Sequence, residues 1–210
     1  MKVQNWRVYD LEESIVASGF PMISYFHEPC FCDSVSDLQK GIHTADLDRA
    51  FRLASAPDGS GHRNYLSGIL VSFNVTATNV WWMQFERYHF AQIVSSMSKM
   101  HRLKKIVESK FSKPRDPNDP INLDTWLFLY ELMQDVEAKK KPEEALIYEC
   151  PMGLELTARV TTNYLQLRTI YVQRRSHKLQ EWRDFCAWIA SLPYARELIT
   201  LERGDADHEK

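Results

Sequence analysis

Between Gly68 and Thr78 the chain reads "GILVSFNVTAT", and every second position, Ile69, Val71, Phe73, Val75 and Ala77, is apolar. The positions between them, Leu70 apart, are polar: Ser72, Asn74, Thr76 and Thr78. Period two over this length predicts a strand with one buried face. "LELTARVT" repeats the pattern, with Leu154, Leu156, Ala158 and Val160 on one side and Glu155, Thr157, Arg159 and Thr161 on the other. Elsewhere the apolar positions recur in steps of three or four, as a helix requires. "YDLEESIVASGFP" predicts a short helix capped by Asp10, with Glu13 completing a capping box and Gly19 and Pro21 ending it. "TADLDRAFRLAS" predicts a second, with Thr44 as cap and Leu47, Ala50, Phe51 and Ala54 on one face, before Pro57, Gly59 and Gly61 break it. Trp82, Phe85, His89, Ile93, Met97 and Met100 form an inward stripe that predicts one helix over residues 80–103. "LDTWLFLYELMQDVEAKKK" is amphipathic, with a positive end that suits the helix dipole. "LQEWRDFCAWIASL" would turn Leu179, Trp182, Cys186 and Ile189 inward.

"HEPCFCDSVSDLQKG" and "SKPRDPNDPINLD" have loop composition, and "ERGDADHEK" is expected to be a disordered tail. The order of elements implies an α/β (α+β) fold, a mixed sheet flanked by long helices, in one domain over residues 1–203 with residues 204–210 as the tail. Both junctions from strand to helix carry polar residues, Thr78 and Asn79 at the first and Thr161, Thr162 and Asn163 at the second. Such groups satisfy free backbone N–H groups at a helix start, and the same place suits an anion.

Composition narrows the partners. A chain of 210 residues buries about 70% of its unfolded surface and needs no disulfide or metal to hold it together. The formal net charge of −2 gives no global basic field, so no nucleic-acid polymer is expected and any phosphate contact is local. No apolar run reaches the length of a membrane span, and "MKVQNWRVYD" lacks the apolar core of a secretory signal, so a cytoplasmic location is expected. The cysteines are Cys30, Cys32, Cys150 and Cys186; "CFC" lacks the spacing of a zinc knuckle, so reduced thiols and no metal are expected.

Two clusters carry candidate chemistry. "WWMQFERYHFAQIVSSMSKMHRL" holds Arg87, whose planar fork suits bidentate phosphate contact, together with Gln84, Gln92, Ser95, Ser96, Ser98 and Lys99 as hydrogen-bonding groups. "YVQRRSHKLQEWRD" places Arg174, Arg175, His177 and Lys178 within a few positions. A solvated helix face would use the same residue types in either case. No glycine-rich dinucleotide loop, Walker loop or G-x-S-x-G elbow is present. His62 lies in a glycine-rich turn ahead of the first predicted strand.

These residues resemble the flavin-dependent thymidylate synthases. The family's signature, Arg-His-Arg-x-x-Ser-x-Asn-x-x-Ser-x-Arg, falls on "RYHFAQIVSSMSK": Arg87 keeps the first Arg, Tyr88 replaces the His, His89 the second Arg, Gln92 the first Ser, Val94 the Asn, Met97 the second Ser and Lys99 the last Arg. The family's His-x-Thr-Pro-Phe-Glu-His segment falls on the residues from His62 to Gly68, and "RRSHKLQEW" resembles its ending, with the His displaced by one residue. Pro151, Thr161, Asn163 and Arg174 fall without a gap on the family's C-terminal pattern, and Ser18 on an N-terminal Ser. The resemblance covers residues 60 to 190 in the main.

It implies flavin-dependent methylation of a pyrimidine deoxynucleotide, dUMP to dTMP or a close variant, with FAD as cofactor and methylenetetrahydrofolate and NADPH as co-substrates. Such chemistry needs no cysteine nucleophile. By the same resemblance His62, Arg87, Tyr88, His89, Asn163 and His177 would bind the cofactor, with Tyr88 able to stack on its rings, while Gln84, Ser96, Ser98, Lys99 and Arg174 would bind the substrate. Arg174 is also the residue implied in catalysis, and a homotetramer is implied. The altered signature leaves a second reading, a non-catalytic nucleotide-binding or interaction member of the same fold.

Overall fold

The computed structural model describes residues 1–22, 42–57 and 59–201. The loop expected around Cys30 and Cys32 and the expected C-terminal tail lie outside these residues. The strands are β1 (Lys2–Tyr9), β2 (Leu70–Thr78), β3 (Gln92–Ser96) and β4 (Glu155–Asn163). The helices are α1 (Leu11–Ala17), α2 (Thr44–Ala54), α3 (Asn79–Phe85), α4 (Lys99–Ser112), α5 (Leu123–Glu137), α6 (Glu144–Tyr148), α7 (Tyr164–Arg174) and α8 (Gln180–Ala190). The fold is α+β, with one four-stranded antiparallel sheet in the order β1-β2-β4-β3.

The chain divides into two compact units, and β2 and β4 run through both. The first comprises Met1–Lys2, Val75–Arg87 and Ile93–Arg159. Its core is built by α4 and α5, where Leu103, Val107, Trp126, Leu129 and Met133 are buried together with Ile121 and Leu154. Asp119 pins the connection ahead of α5. Its carboxylate, 3% exposed, takes Lys110 Nζ at 2.5 Å, Trp126 Nε1 at 3.1 Å and the Ile121 N–H at 3.0 Å. Lys110 also lies over the Trp126 ring at 4.8 Å, so its cationic head and the indole share one partner.

The second unit comprises Val3–Asn74, Tyr88–Gln92 and Val160–Lys210. Its core holds Ile69 just ahead of β2, Val71 and Phe73 of β2, Val160 of β4, Tyr164, Leu167 and Ile170 of α7, and Trp182, Phe185 and Ile189 of α8, all buried. The Phe73 ring meets Phe185 at 5.7 Å and Trp188 at 4.6 Å. Both alternating segments are therefore strands with the expected inner faces. Their outward hydroxyls set the antiparallel register, Ser72 Oγ against Thr161 Oγ1 at 2.8 Å in this unit and Thr76 Oγ1 against Thr157 Oγ1 at 2.7 Å in the first.

Several expectations change. Residues 80–103 are not one helix: α3 ends at Phe85, β3 follows at Gln92–Ser96, and α4 begins at Lys99. Hydrogen bonds to β4 hold the break open, from the Met97 N–H to the Thr157 carbonyl at 2.9 Å and from Thr162 Oγ1 to the Phe90 carbonyl at 2.8 Å. His89 and Met100, expected inward, are exposed. Asp10 precedes α1 with a left-handed φ of 54° and makes no side-chain cap, so the expected capping box is not formed. Thr44 is the first helical residue of α2 rather than its cap, which is His43. β1 was not expected; Asn5, at φ 50°, interrupts its extended run.

Candidate functional site

Within the second unit α7 begins where Asn163 caps it, its side-chain oxygen accepting the Gln166 N–H at 2.8 Å. The helix ends on Arg174, a cation at a negative helix terminus. Arg174 is held from two directions. Its Nε donates to the Tyr88 hydroxyl at 2.8 Å, and its guanidinium carbon lies 4.7 Å from the centre of the Trp182 ring. Tyr88 is only 8% exposed; its hydroxyl donates to Gln173 Oε1 at 3.0 Å and its ring meets Trp182 edge to face at 5.9 Å. Tyr88 is thus packed within the chain, its hydroxyl shared by Arg174 and Gln173 and its ring set against Trp182.

His177 follows α7, its ring 6.3 Å from that of Trp182 and its Nδ1 accepting the Leu179 N–H at 3.1 Å. Desolvation, with the charges of Arg174 and Arg183, pushes its pKa below the usual 6.5. A lowered value in the folded state means that the folded form binds fewer protons than the unfolded one. Stability from this residue is therefore present above pH 6.5 and is lost as the pH falls through the lower folded value. A proton NMR titration should show the His177 imidazole charging at lower pH than an exposed histidine, and His177→Gln should flatten the stability profile in that window. Cys186 of α8, deep in the same region, is pushed up by burial to about 11 and is an inert thiol at neutral pH.

In the first unit a cleft of about 370 Å³ is lined by Asn79, Trp82, Met83, Ser96, Met97 and Lys99 among others. Trp82 Nε1 donates to the Leu156 carbonyl at 3.1 Å, which fixes one wall. Ser98 precedes α4 and Lys99 opens it, so a positive side chain stands at the positive end of a helix. That pairing is unfavourable for the helix alone and favourable for an anion beside it. Burial raises the pKa of the nearby Cys150, against the Lys99 charge and a hydrogen bond with Asn79. Gln84 is half-buried on α3, and Arg87 is exposed just beyond it.

A third place, again in the second unit, is a hollow of about 590 Å³ lined by Ser18, Arg49, Arg52, His62 and Tyr65 with apolar Phe20, Met22 and Leu53. Arg49 braces it, donating to Ser18 Oγ at 3.2 Å and the Val16 carbonyl at 3.2 Å while paired with Asp46 at 2.5 Å. Tyr65 donates to the Ala50 carbonyl at 2.6 Å, and burial holds its phenol well above the usual range. His89 is exposed beside Phe90, itself 73% exposed.

The structure therefore brings Arg174, Tyr88 and His177 together around Trp182, gathers Ser96 and Lys99 in a cleft, and sets His62 in a hollow with two arginines. Sequence reasoning missed Arg49, Arg52 and Tyr65 at the hollow and Trp182 as the support of Arg174. Arg49 and Arg52, three apart on α2, were the available signal. Gly68, at the position of the family's second His, has no room for one: a Cβ there would meet Ser14 Oγ at 2.5 Å and the Tyr65 carbonyl oxygen at 3.3 Å.

Among the described residues no helix is long and apolar enough to cross a membrane, and no group of three or more His, Cys, Asp or Glu could hold a metal ion. No protein-family model matches the chain, and no curated protein does. Solved structures do: the flavin-dependent thymidylate synthase ThyX from Helicobacter pylori complexed with FAD and dUMP, in two separate structures, superposes with a TM-score of 0.70 at 16% identity. Each superposition covers 95% of this chain and 98% of the other. At that identity the likeness establishes architecture, and this chain has the fold of the flavin-dependent thymidylate synthases.

Proposed function

We propose that this chain methylates a pyrimidine deoxynucleotide, dUMP to dTMP or a close variant, with FAD as cofactor, methylenetetrahydrofolate as carbon donor and NADPH as electron source, and that it works as a homotetramer. The observation that carries this reading is the setting of Arg174. The arginine that the resemblance assigns to the nucleotide is the one whose guanidinium is oriented by Tyr88 and Trp182. An oriented planar fork is what recognition of a phosphate or a pyrimidine edge needs.

The donor set suits a flavin dinucleotide. Arg52 gives the hollow a cation, with Asp46-paired Arg49 and His62 as further polar groups beside apolar Phe20 and Met22, a combination that suits a phosphate joined to a flat ring. Arg87, His89, Asn163 and His177 complete the candidate cofactor set, with Asn163 contributing through its cap of α7. A bound reduced flavin supplies the hydride. The chain's own residues would align the two ligands and place positive charge from Arg174 and Lys99 against phosphate and ring oxygens, helped by Gln84, Ser96 and Ser98. A charge-assisted contact contributes about 1.5–3 kcal/mol, so losing one weakens binding by roughly ten- to a hundredfold.

The test is to incubate the purified protein with FAD, desalt it and record its absorption. Retained absorbance near ~450 nm that dUMP perturbs supports the reading. A colourless protein removes the flavin from it. One observation favours a second reading, nucleotide binding without catalysis: Tyr88 and Asn163, two of the cofactor positions, are engaged in hydrogen bonds within the chain. A colourless protein that still binds dUMP would select it.

A further inference from the structure

We infer that Tyr88 is a positioning residue for Arg174, so that the change from His to Tyr within the altered signature serves the nucleotide site rather than the cofactor. The inference rests on the reading of Arg174 as a nucleotide contact. An arginine Nε–H can only donate, so the Tyr88 oxygen, 2.8 Å away, must accept. Its own proton then needs another acceptor, and Gln173 Oε1 stands 3.0 Å away. One hydroxyl thus ties the side chains of two consecutive residues, the last two of α7, to the connection between α3 and β3.

Geometry supplies the rest. The bond at Nε fixes the in-plane direction of the guanidinium, and the Trp182 face, 4.7 Å from its carbon, restricts its tilt. Tyr88 packs edge to face on the same Trp182 ring at 5.9 Å, so donor, acceptor and stacking surface meet around one indole. An arginine has a long, flexible stem, and holding it before the ligand arrives reduces the ordering cost of binding. Phenylalanine at position 88 would keep the ring and its packing and remove only this constraint.

The experiment titrates dUMP against the full-length protein and its variants by calorimetry, with thermal melting in parallel. Tyr88→Phe should weaken dUMP binding about three- to tenfold with a melting temperature close to wild type. Gln173→Leu, at an exposed position, should act in the same direction and more weakly, which provides a second reading should the first variant misfold. Arg174→Lys keeps the charge and lacks the Nε–H; in that background Tyr88→Phe should change the affinity less than twofold. That loss of effect is the signature of positioning, since a merely structural role would weaken both backgrounds equally. Equal weakening in both overturns the inference. So does an unchanged affinity in Tyr88→Phe and Gln173→Leu while Arg174→Ala loses binding, a result that leaves the assignment of Arg174 intact. An Arg174→Ala variant with wild-type affinity overturns the assignment and the inference together.

Discussion

Trp182→Ala should lower the free energy of unfolding by about 3–5 kcal/mol, the usual range for truncating a large buried aromatic ring. Trp182 is fully buried and meets Tyr88, Phe185 and His177 edge to face, with the Arg174 guanidinium over its ring. Truncation leaves a cavity and removes the surface that sets the tilt of Arg174. Urea denaturation would read the first effect and dUMP titration of the folded fraction the second. Trp182→Phe separates them in degree. It retains an aromatic face and should cost about 1–2 kcal/mol, with a smaller loss of affinity. A destabilisation below about 1 kcal/mol for the alanine variant would contradict the placement of this residue.

The second large effect is expected far along the chain. Asp119→Ala should destabilise the protein by about 2–4 kcal/mol, because three donors lose one buried acceptor. Lys110 is partly exposed and can regain water, which keeps the figure below that for a fully buried pair. Trp126 Nε1 and the Ile121 N–H have less recourse. The pH dependence has a definite sign. Burial raises the Asp119 pKa, but the hydrogen bonds from Lys110, Ile121 and Trp126 and the Lys110 charge outweigh it and hold the carboxyl below 3.8. Its contribution is therefore present above pH 3.8 and is lost as the pH falls through the lower folded value. The denaturant midpoint of the wild type should drop in that acid window, and Asp119→Asn should flatten the drop.

Much of the fold could be read from the chain wherever one face of an element is buried. β2, β4 and α8 carry clear periodicity and most of their expected inner residues are buried, while α5, expected only as an amphipathic helix, buries Trp126, Leu129 and Met133. The segment after α3 was misread because Trp82, Phe85, His89, Ile93, Met97 and Met100 happen to fall at helical spacing. Only pairing with β4, more than fifty residues away, decides that Gln92–Ser96 is extended. β1 escaped for the opposite reason: it is exposed along most of its length, so no alternation marks it. Asp119 lies in a stretch of loop composition, where burial of a carboxylate leaves no periodic trace.

The candidate site was legible as residue types and not as partnerships. Arg174 stood out as one cation in a cluster, but its bond to Tyr88 joins positions 86 residues apart. Arg49 and Arg52 became candidates only when α2 set them beside His62 in the hollow. The resemblance identified positions on this fold; the contacts identified which of those positions are engaged inside the chain.

The left-handed turn at Asn5 bears on how this protein behaves in concentrated solution. Among the described residues β1 has a single neighbour in the sheet, and an edge strand's outer backbone offers donors and acceptors that a strand from another molecule could copy. A flat run of eight residues would be a ready template for such growth. The φ of 50° at Asn5 breaks the run near its middle, and Lys2 and Arg7 place charge on either side of the break. That one backbone torsion makes β1 a poorer template for such pairing, although Trp6 and Tyr9 are exposed on the same strand.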